Sequence, residues 1–184
     1  MSRSLNAVIV LGLGKVGCLV AELLHRTGFR VTGADACPPE GLPFPAEALD
    51  VAQPGALAAR LAGADAVVSC LPYRFNKAVA AAAHQAGIHY FDLTEDVAAT
   101  RAIRELAATA AGVMAPQCGL APGFIAIVGA SLAEDFHRIR SIKLRVGALP
   151  QHPTGLLVYA FNWSPEGVVN EYLNDCEVIE YSVH

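Results

Sequence analysis

The sequence predicts an α/β fold class: a doubly wound parallel sheet over residues 1–122, followed over 123–184 by the incomplete start of a mixed α+β domain. Three observations predict it. Short apolar runs alternate with helical stretches, a glycine-rich turn directly follows the first run, and the texture changes after Phe136. Strands separated by helical crossovers pair in parallel, because a hairpin cannot return the chain in the same direction.

Residues 6–11 form the first strand, since Ala-Val-Ile-Val-Leu is short, apolar and mostly β-branched. A helical pattern over 15–26 stops before Gly28, whose missing Cβ suits the position past a helix end. Residues 29–34 give a second strand. Prolines crowd 37–45 into a loop, 47–51 reads as a short third strand, and a helix starts near Pro54. A strand at 66–71, Pro72 and a helix over 75–85 ending at Gly87 come next, then a strand at 88–93. Thr94 is placed to cap a helix carrying Glu95 and Asp96 in its first turn, where the helix dipole favours negative charge. That helix runs to near Gly112, 112–117 forms a sixth strand, and the turn over 118–123 leads into a helix ending around Asp135. Beyond Phe136, residues 139–148 and 156–163 read as neighbouring antiparallel strands, and Ser164-Pro165 opens a short helix.

Hydrophobic residues make up 54% of the 184 and charged ones 16%, enough apolar surface for a sizeable core and too little polarity for a disordered chain. The early apolar run is broken by Gly12 and Gly14, far short of the roughly 20 residues that cross a bilayer. Neither a membrane span nor a secretion signal is expected. The formal charge of −4, with Lys and Arg dispersed, lacks the footprint of a phosphate-backbone binder, so no nucleic-acid partner is expected. Cys18, Cys37, Cys70, Cys118 and Cys176 are scattered without a C-x-x-C pair, and the histidines show no metal-ligand spacing. Reduced thiols in a cytoplasmic, metal-free protein are the expectation.

The strongest chemical signal is Gly12-Leu13-Gly14-Lys15-Val16-Gly17, between the first strand and the first helix. Gly12 permits the tight turn, Gly14 lets a pyrophosphate approach the backbone, and Gly17 lets the helix pack against the sheet. The amides at the helix start then meet the phosphates, which makes the first domain Rossmann-type. Asp35 lies 23 residues after Gly12 at the end of the second strand, where a carboxylate bonds the ribose hydroxyls of NAD and repels a 2′-phosphate. Ala36 and the residues through Pro39 supply no cation, so NAD is favoured over NADP. Asp50 and Val51 are placed to approach the adenine. Cys70, Leu71 and Pro72 sit at the carboxyl end of the fourth strand, where open α/β sheets bind ligands. Cys70 is read as a backbone contact or a small buried residue, not as a reactive thiol.

Five segments together carry a family resemblance: the glycine loop, Cys-Leu-Pro-Tyr-Arg-Phe-Asn at 70–76, His-Tyr-Phe-Asp-Leu-Thr-Glu-Asp at 89–96, Gly-Leu-Ala-Pro-Gly at 119–123, and Trp-Ser-Pro-Glu-Gly-Val-Val-Asn-Glu-Tyr at 163–172. On these the chain resembles the saccharopine dehydrogenase superfamily and, within it, the lysine 6-dehydrogenase-like branch. The resemblance covers nearly the whole chain. It implies hydride transfer between an amine-bearing carbon of an amino acid and nicotinamide, through an imine that water opens, in a homodimer. It also implies that Pro72, Asn76, Asp92, Thr94 and the substrate-binding turn Gly119, Leu120, Ala121, Pro122 and Gly123 surround the nicotinamide and substrate. Asp92 and Thr94 are the candidates for catalysis, against plainer roles as a strand-end acceptor and a helix cap.

Two departures from the family pattern follow. Saccharopine-forming members place an acid inside the Gly-Leu-x-Pro-Gly turn and a cysteine further on; here Ala121 and Val146 or Gly147 stand there, so saccharopine is disfavoured as substrate. Family enzymes are also longer, with a return to the nucleotide domain, and the chain reads as a fragment or truncated product. Two other readings stand beside the enzyme: an NAD(H)-binding or sensing module without turnover, and a structural remnant that does neither. Tyr73 and Lys77 match a Y-x-x-x-K spacing, but they follow the fourth strand, too early for that dehydrogenase class, and the match is read as chance.

Overall fold

The computed structural model describes residues 5–147, 150–152, 154, 156 and 165–173. Its architecture grows from strand β1 (Ala7–Leu11), whose side chains alternate so that Val8 and Val10 join one buried cluster and Ile9 and Leu11 another. A strand apolar on both faces needs cover on both. Helix α1 (Lys15–Arg26) supplies it on the Val8–Val10 side through Ala21, with Val31, Phe44 and Ala66 in the same cluster. On the other face lie α2 (Ala56–Leu61), α3 (Asn76–Ala86) and α4 (Val97–Ala107), which bury Leu57, Leu61, Val79, Ala83 and Ile103 against the sheet.

The remaining strands are β2 (Arg30–Asp35), β3 (Ala46–Ala48), β4 (Ala66–Ser69), β5 (His89–Asp92) and β6 (Met114–Ala115). They pair in the order β3-β2-β1-β4-β5-β6, every pair parallel. The chain winds outward from β1 in both directions, so a crevice opens beyond the carboxyl ends of β1 and β4. The register aligns Ala34, Leu11, Ser69 and Asp92 across that edge; just above it lie Asp35, the last residue of β2, and Gly12, Cys70 and Leu93, which begin the loops. Helix α5 (Phe124–Ala133) follows the nucleotide-type sheet, and α6 (Pro165–Leu173) is the last described element. Among the described residues no helix is long and apolar enough to cross a membrane.

Several expectations need correction. The third strand covers 46–48, not 47–51, because it is defined by pairing with Gly33, Ala34 and Asp35 of β2. Helix α4 is capped by Asp96, whose Oδ1 accepts the Ala99 amide at 2.6 Å; Thr94 Oγ1 instead accepts the Asp96 amide at 3.1 Å in a turn before the helix. Glu95 and Asp96 therefore precede the first turn, and α4 ends at Ala107, short of Gly112. The sixth strand shrinks to two residues. Residues 139–147 form no strand, since nothing among the described residues pairs with them and an extended run without a ladder has no defining bonds. The partner expected over 156–163 lies, Leu156 apart, outside the described residues, as does the Ser164 cap.

Candidate functional site

The glycine loop is fixed by contacts that exclude side chains at two positions and leave a third open. Gly12 has φ 86° and donates its amide to Ala34 O at 2.8 Å; a Cβ there would lie 2.9 Å from the Cys70 carbonyl oxygen. At Gly17 a Cβ would lie 1.8 Å from Gly12 O, so α1 rests directly on the loop. Around Gly14 a Cβ would meet nothing within 4 Å. Gly14 is the extended N-cap of α1 and carries no side-chain cap, and the first helical bond runs from the Cys18 amide to Gly14 O. The amides of Lys15, Val16 and Gly17 thus emerge from the helix end into open space, the positive pole of the helix dipole behind them. A diphosphate fits this cradle.

Asp35 sits beside it. Its Oδ2 accepts the Leu13 amide at 2.7 Å and its Oδ1 the Cys37 amide at 2.9 Å, so the carboxylate ties the end of β2 to the loop. Ala36 is exposed next to it. Asp50 is exposed in the turn after β3, where its Oδ1 accepts the Ala52 amide at 2.9 Å, while Val51 packs partly on the core.

On the other side of the loop lies a cavity of about 360 Å³. Its floor is Gly14–Gly17, one wall is Cys70, Leu71, Pro72 and Tyr73, and the other is Leu93, Thr94 and Glu95, with Gly167 of α6 over it. The structure therefore brings together the glycine loop, the end of β4 and the loop after β5. Asn76, buried and accepting the Ser69 hydroxyl at 2.7 Å, stands behind the wall. The turn over 119–123 does not line the cavity but abuts its wall: a Cβ on Gly119 would lie 3.3 Å from Leu93 O.

Sequence reasoning placed a short helix opening at Ser164-Pro165, which is α6, but gave it no part in the site. Glu166 accepts from Arg74 at 3.1 Å and from the Tyr73 hydroxyl at 3.4 Å, Asn170 donates to Asp96 at 3.2 Å, and Val168 is buried. The Trp-Ser-Pro-Glu-Gly segment was the available signal, but it carries no indication of what it touches. Desolvation and the Glu166 carboxylate push the Tyr73 phenol up, the opposite of an activated Y-x-x-x-K tyrosine.

Burial, with Cys18 beside it, pushes the Cys70 thiol up to about 12. A thiol so raised is almost wholly protonated at neutral pH and a poor nucleophile. Iodoacetamide at pH 7 is expected to label exposed Cys37 well before Cys70, as read by peptide mass spectrometry. Asp92 is fully buried; burial raises its carboxyl, against lowering by hydrogen bonds from Tyr90, Thr94 and Gln117. Burial and Asp92 together push the Tyr90 phenol up. Among the described residues no group of His, Cys, Asp or Glu could hold a metal ion.

Comparison with known proteins gives the family. The saccharopine dehydrogenase NADP binding domain matches residues 8–115, and the saccharopine dehydrogenase C-terminal domain matches 119–183. The chain belongs to the saccharopine dehydrogenase family, and its first domain is of a kind that binds a nicotinamide dinucleotide. Saccharopine dehydrogenase (L-Glu forming) from Saccharomyces cerevisiae shares the fold at a TM-score of 0.64 and 24% identity, over 89% of this chain and 40% of that one. The chain thus spans less than half of the yeast enzyme's length. Weaker likenesses include a uronate dehydrogenase variant from Agrobacterium tumefaciens complexed with NAD (TM-score 0.41, 20% identity, 50% of this chain and 41% of that one). Another is a short-chain dehydrogenase/reductase superfamily protein from the same organism with bound NAD (TM-score 0.42, 21% identity, 48% and 32%).

Proposed function

We propose that the chain binds NAD in preference to NADP and serves in the oxidation of an amino acid or related amine, in the manner of lysine 6-dehydrogenase-like family members. The observation that carries it is the open space at Gly14 where the amides of α1 emerge. Those amides would hold the diphosphate. Asp35 would take the adenosine ribose: each of its oxygens accepts one backbone amide and keeps a further lone pair for a hydroxyl. The walls at 70–73 and 93–95 would receive the nicotinamide half and the amine, excluding water from the reacting carbon. Bound nicotinamide supplies the hydride acceptor. Self-association belongs to the same reading, supported by the exposed apolar side chains of Phe124, Ile127 and Leu132 on α5, a surface a second copy would cover.

The test is a titration of NADH followed by its fluorescence, then NADH production from lysine and a panel of amines. Asp35→Ala is expected to weaken NAD about tenfold while leaving NADP little changed, because a charged acceptor for ribose hydroxyls is worth roughly 1.5 kcal/mol. Much tighter binding of NADP than of NAD by the unmodified protein would show this role of Asp35 to be wrong. A sensing module is the second reading. It is favoured by the bonds of α6 to Tyr73, Arg74 and Asp96, which tie the C-terminal region to the cavity mouth. Binding without turnover on any amine would select it.

A further inference from the structure

The loops on the nicotinamide side of the cleft are held from behind by one side chain. Asp92 closes β5, in register with Ser69 of β4, and has no exposed surface. Its Oδ2 accepts the Tyr90 hydroxyl at 2.6 Å, and its Oδ1 accepts the amides of Thr94 at 3.0 Å and Gln117 at 3.1 Å. Its backbone carbonyl accepts the Cys118 amide at 2.7 Å. Three of these four bonds go to backbone. Thr94 belongs to the cavity wall, whereas Gln117 and Cys118 lead into the turn over 119–123 that abuts the wall at Leu93. Gln117 takes φ 63°, a left-handed conformation uncommon for a residue with a side chain. Its bond to Asp92 holds it.

The network continues toward the third wall segment. The Tyr90 hydroxyl lies 3.4 Å from the Asn76 carbonyl, and the Asn76 side chain accepts the Ser69 hydroxyl, so the start of α3 just past Pro72 and Tyr73 is joined to the same pair. Asp92 itself does not line the cavity. Asp35 stands on the β2 side of the glycine loop, so a dinucleotide with its adenosine there runs its other half over β4 and β5.

We propose that Asp92, oriented by Tyr90, is a positioning residue: from behind the wall it sets the loops after β5 and β6 against which the nicotinamide half and its reaction partner rest. This rests on the dinucleotide reading above. The Asp92 carboxylate acts through Thr94 and Gln117 and touches neither ligand.

Asp92→Ala, Asp92→Asn and Tyr90→Phe are compared with the unmodified protein by titration with NADH, read by nicotinamide fluorescence, and with ADP-ribose, which lacks the nicotinamide half. Asp92→Ala is expected to weaken NADH about tenfold and to lose most of the fluorescence enhancement at saturation, with ADP-ribose within about twofold. Asp92→Asn keeps an oxygen toward Thr94 and Gln117 and restores most of both signals. Should the alanine variant not fold, Tyr90→Phe decides, with a smaller loss, about threefold, confined to NADH. Equal weakening of both ligands, or no change in either, overturns the proposal. If the unmodified protein binds ADP-ribose but gives NADH no fluorescence enhancement, positioning fails while the phosphate cradle stands. If it binds neither, both readings fall.

Discussion

Valine at Gly14 is expected to abolish measurable dinucleotide binding while the protein stays folded, whereas alanine at Gly17 loses binding and stability together. The contrast comes from two glycines of one loop in opposite surroundings. A Cβ on Gly14 meets nothing within 4 Å, and the residue is extended, a conformation valine favours. The protein loses little beyond the poorer N-cap, about 1 kcal/mol, a shift of roughly 2–4 °C for a chain of this size. The isopropyl group occupies the open space beside the amides of residues 15–17, where a diphosphate would approach them. A Cβ on Gly17 would sit 1.8 Å from the Gly12 carbonyl oxygen, with that carbonyl carbon at 2.9 Å and Cys70 Cβ at 3.2 Å. The obstacle is backbone that itself is anchored to β2 through the Gly12 amide, so α1 must move off the sheet. Overpacking of this kind costs about 3 kcal/mol or more. Thermal melting and NADH titration of the two variants check both halves; a Gly14→Val protein that binds NADH normally would remove the loop from the site.

The glycine loop was legible because everything it needs is local: an apolar strand, three glycines at fixed spacing and a helix that starts between them. The same holds for the order of strands and helices as far as α4. What the sequence misplaced are boundaries decided by distant partners. β3 has three exposed side chains and owes its position to β2, so its own residues hold little information. Thr94 and Asp96 are both acceptable caps two residues apart. Burial of Ala99 and Ile103 against the sheet fixes the helix phase, and Asp92 draws the Thr94 amide out of it. β6 stops early for a related reason: Gln117 turns left-handed to donate to Asp92, which leaves the expected strand two residues to pair with β5. At the site, the family resemblance brought Asp92 forward beside its plainer reading as a strand-end acceptor, and nothing local distinguishes a carboxylate facing a ligand from one facing its own loops. The contacts of Glu166 and Asn170 join segments far apart in the chain, and no spacing rule reaches that distance.

Asp92→Ala is expected to be among the most destabilising single substitutions in the protein, and the stability that Asp92 governs should fall as pH rises. Removing the carboxylate leaves the Thr94 amide without an acceptor in the interior and the Gln117 amide without one where it is partly buried, and leaves the Tyr90 hydroxyl only the long bond to the Asn76 carbonyl at 3.4 Å. At about 1–3 kcal/mol for each orphaned donor, the loss is roughly 4 kcal/mol, a large fraction of a typical domain's stability. Asparagine keeps one oxygen for the two amides and carries no charge, so it separates the hydrogen bonds from the ionisation. Burial raises the Asp92 carboxyl above its ordinary value of about 4, despite the three bonds that oppose it. The folded state therefore holds the proton more tightly than the unfolded chain, and the stability this confers is fully present below about pH 4 and lost as pH rises through the raised value. Urea unfolding of the unmodified protein and the asparagine variant at successive pH values reads this as a difference: the unmodified protein should lose ground to Asp92→Asn from pH 4 upward. The neighbouring Tyr90 and Cys118, both themselves pushed up, stay protonated across that range and leave the difference to Asp92. A difference running the other way, with the unmodified protein gaining on the variant as pH rises, would mean that the hydrogen bonds outweigh burial and that Asp92 is held as a stabilised anion.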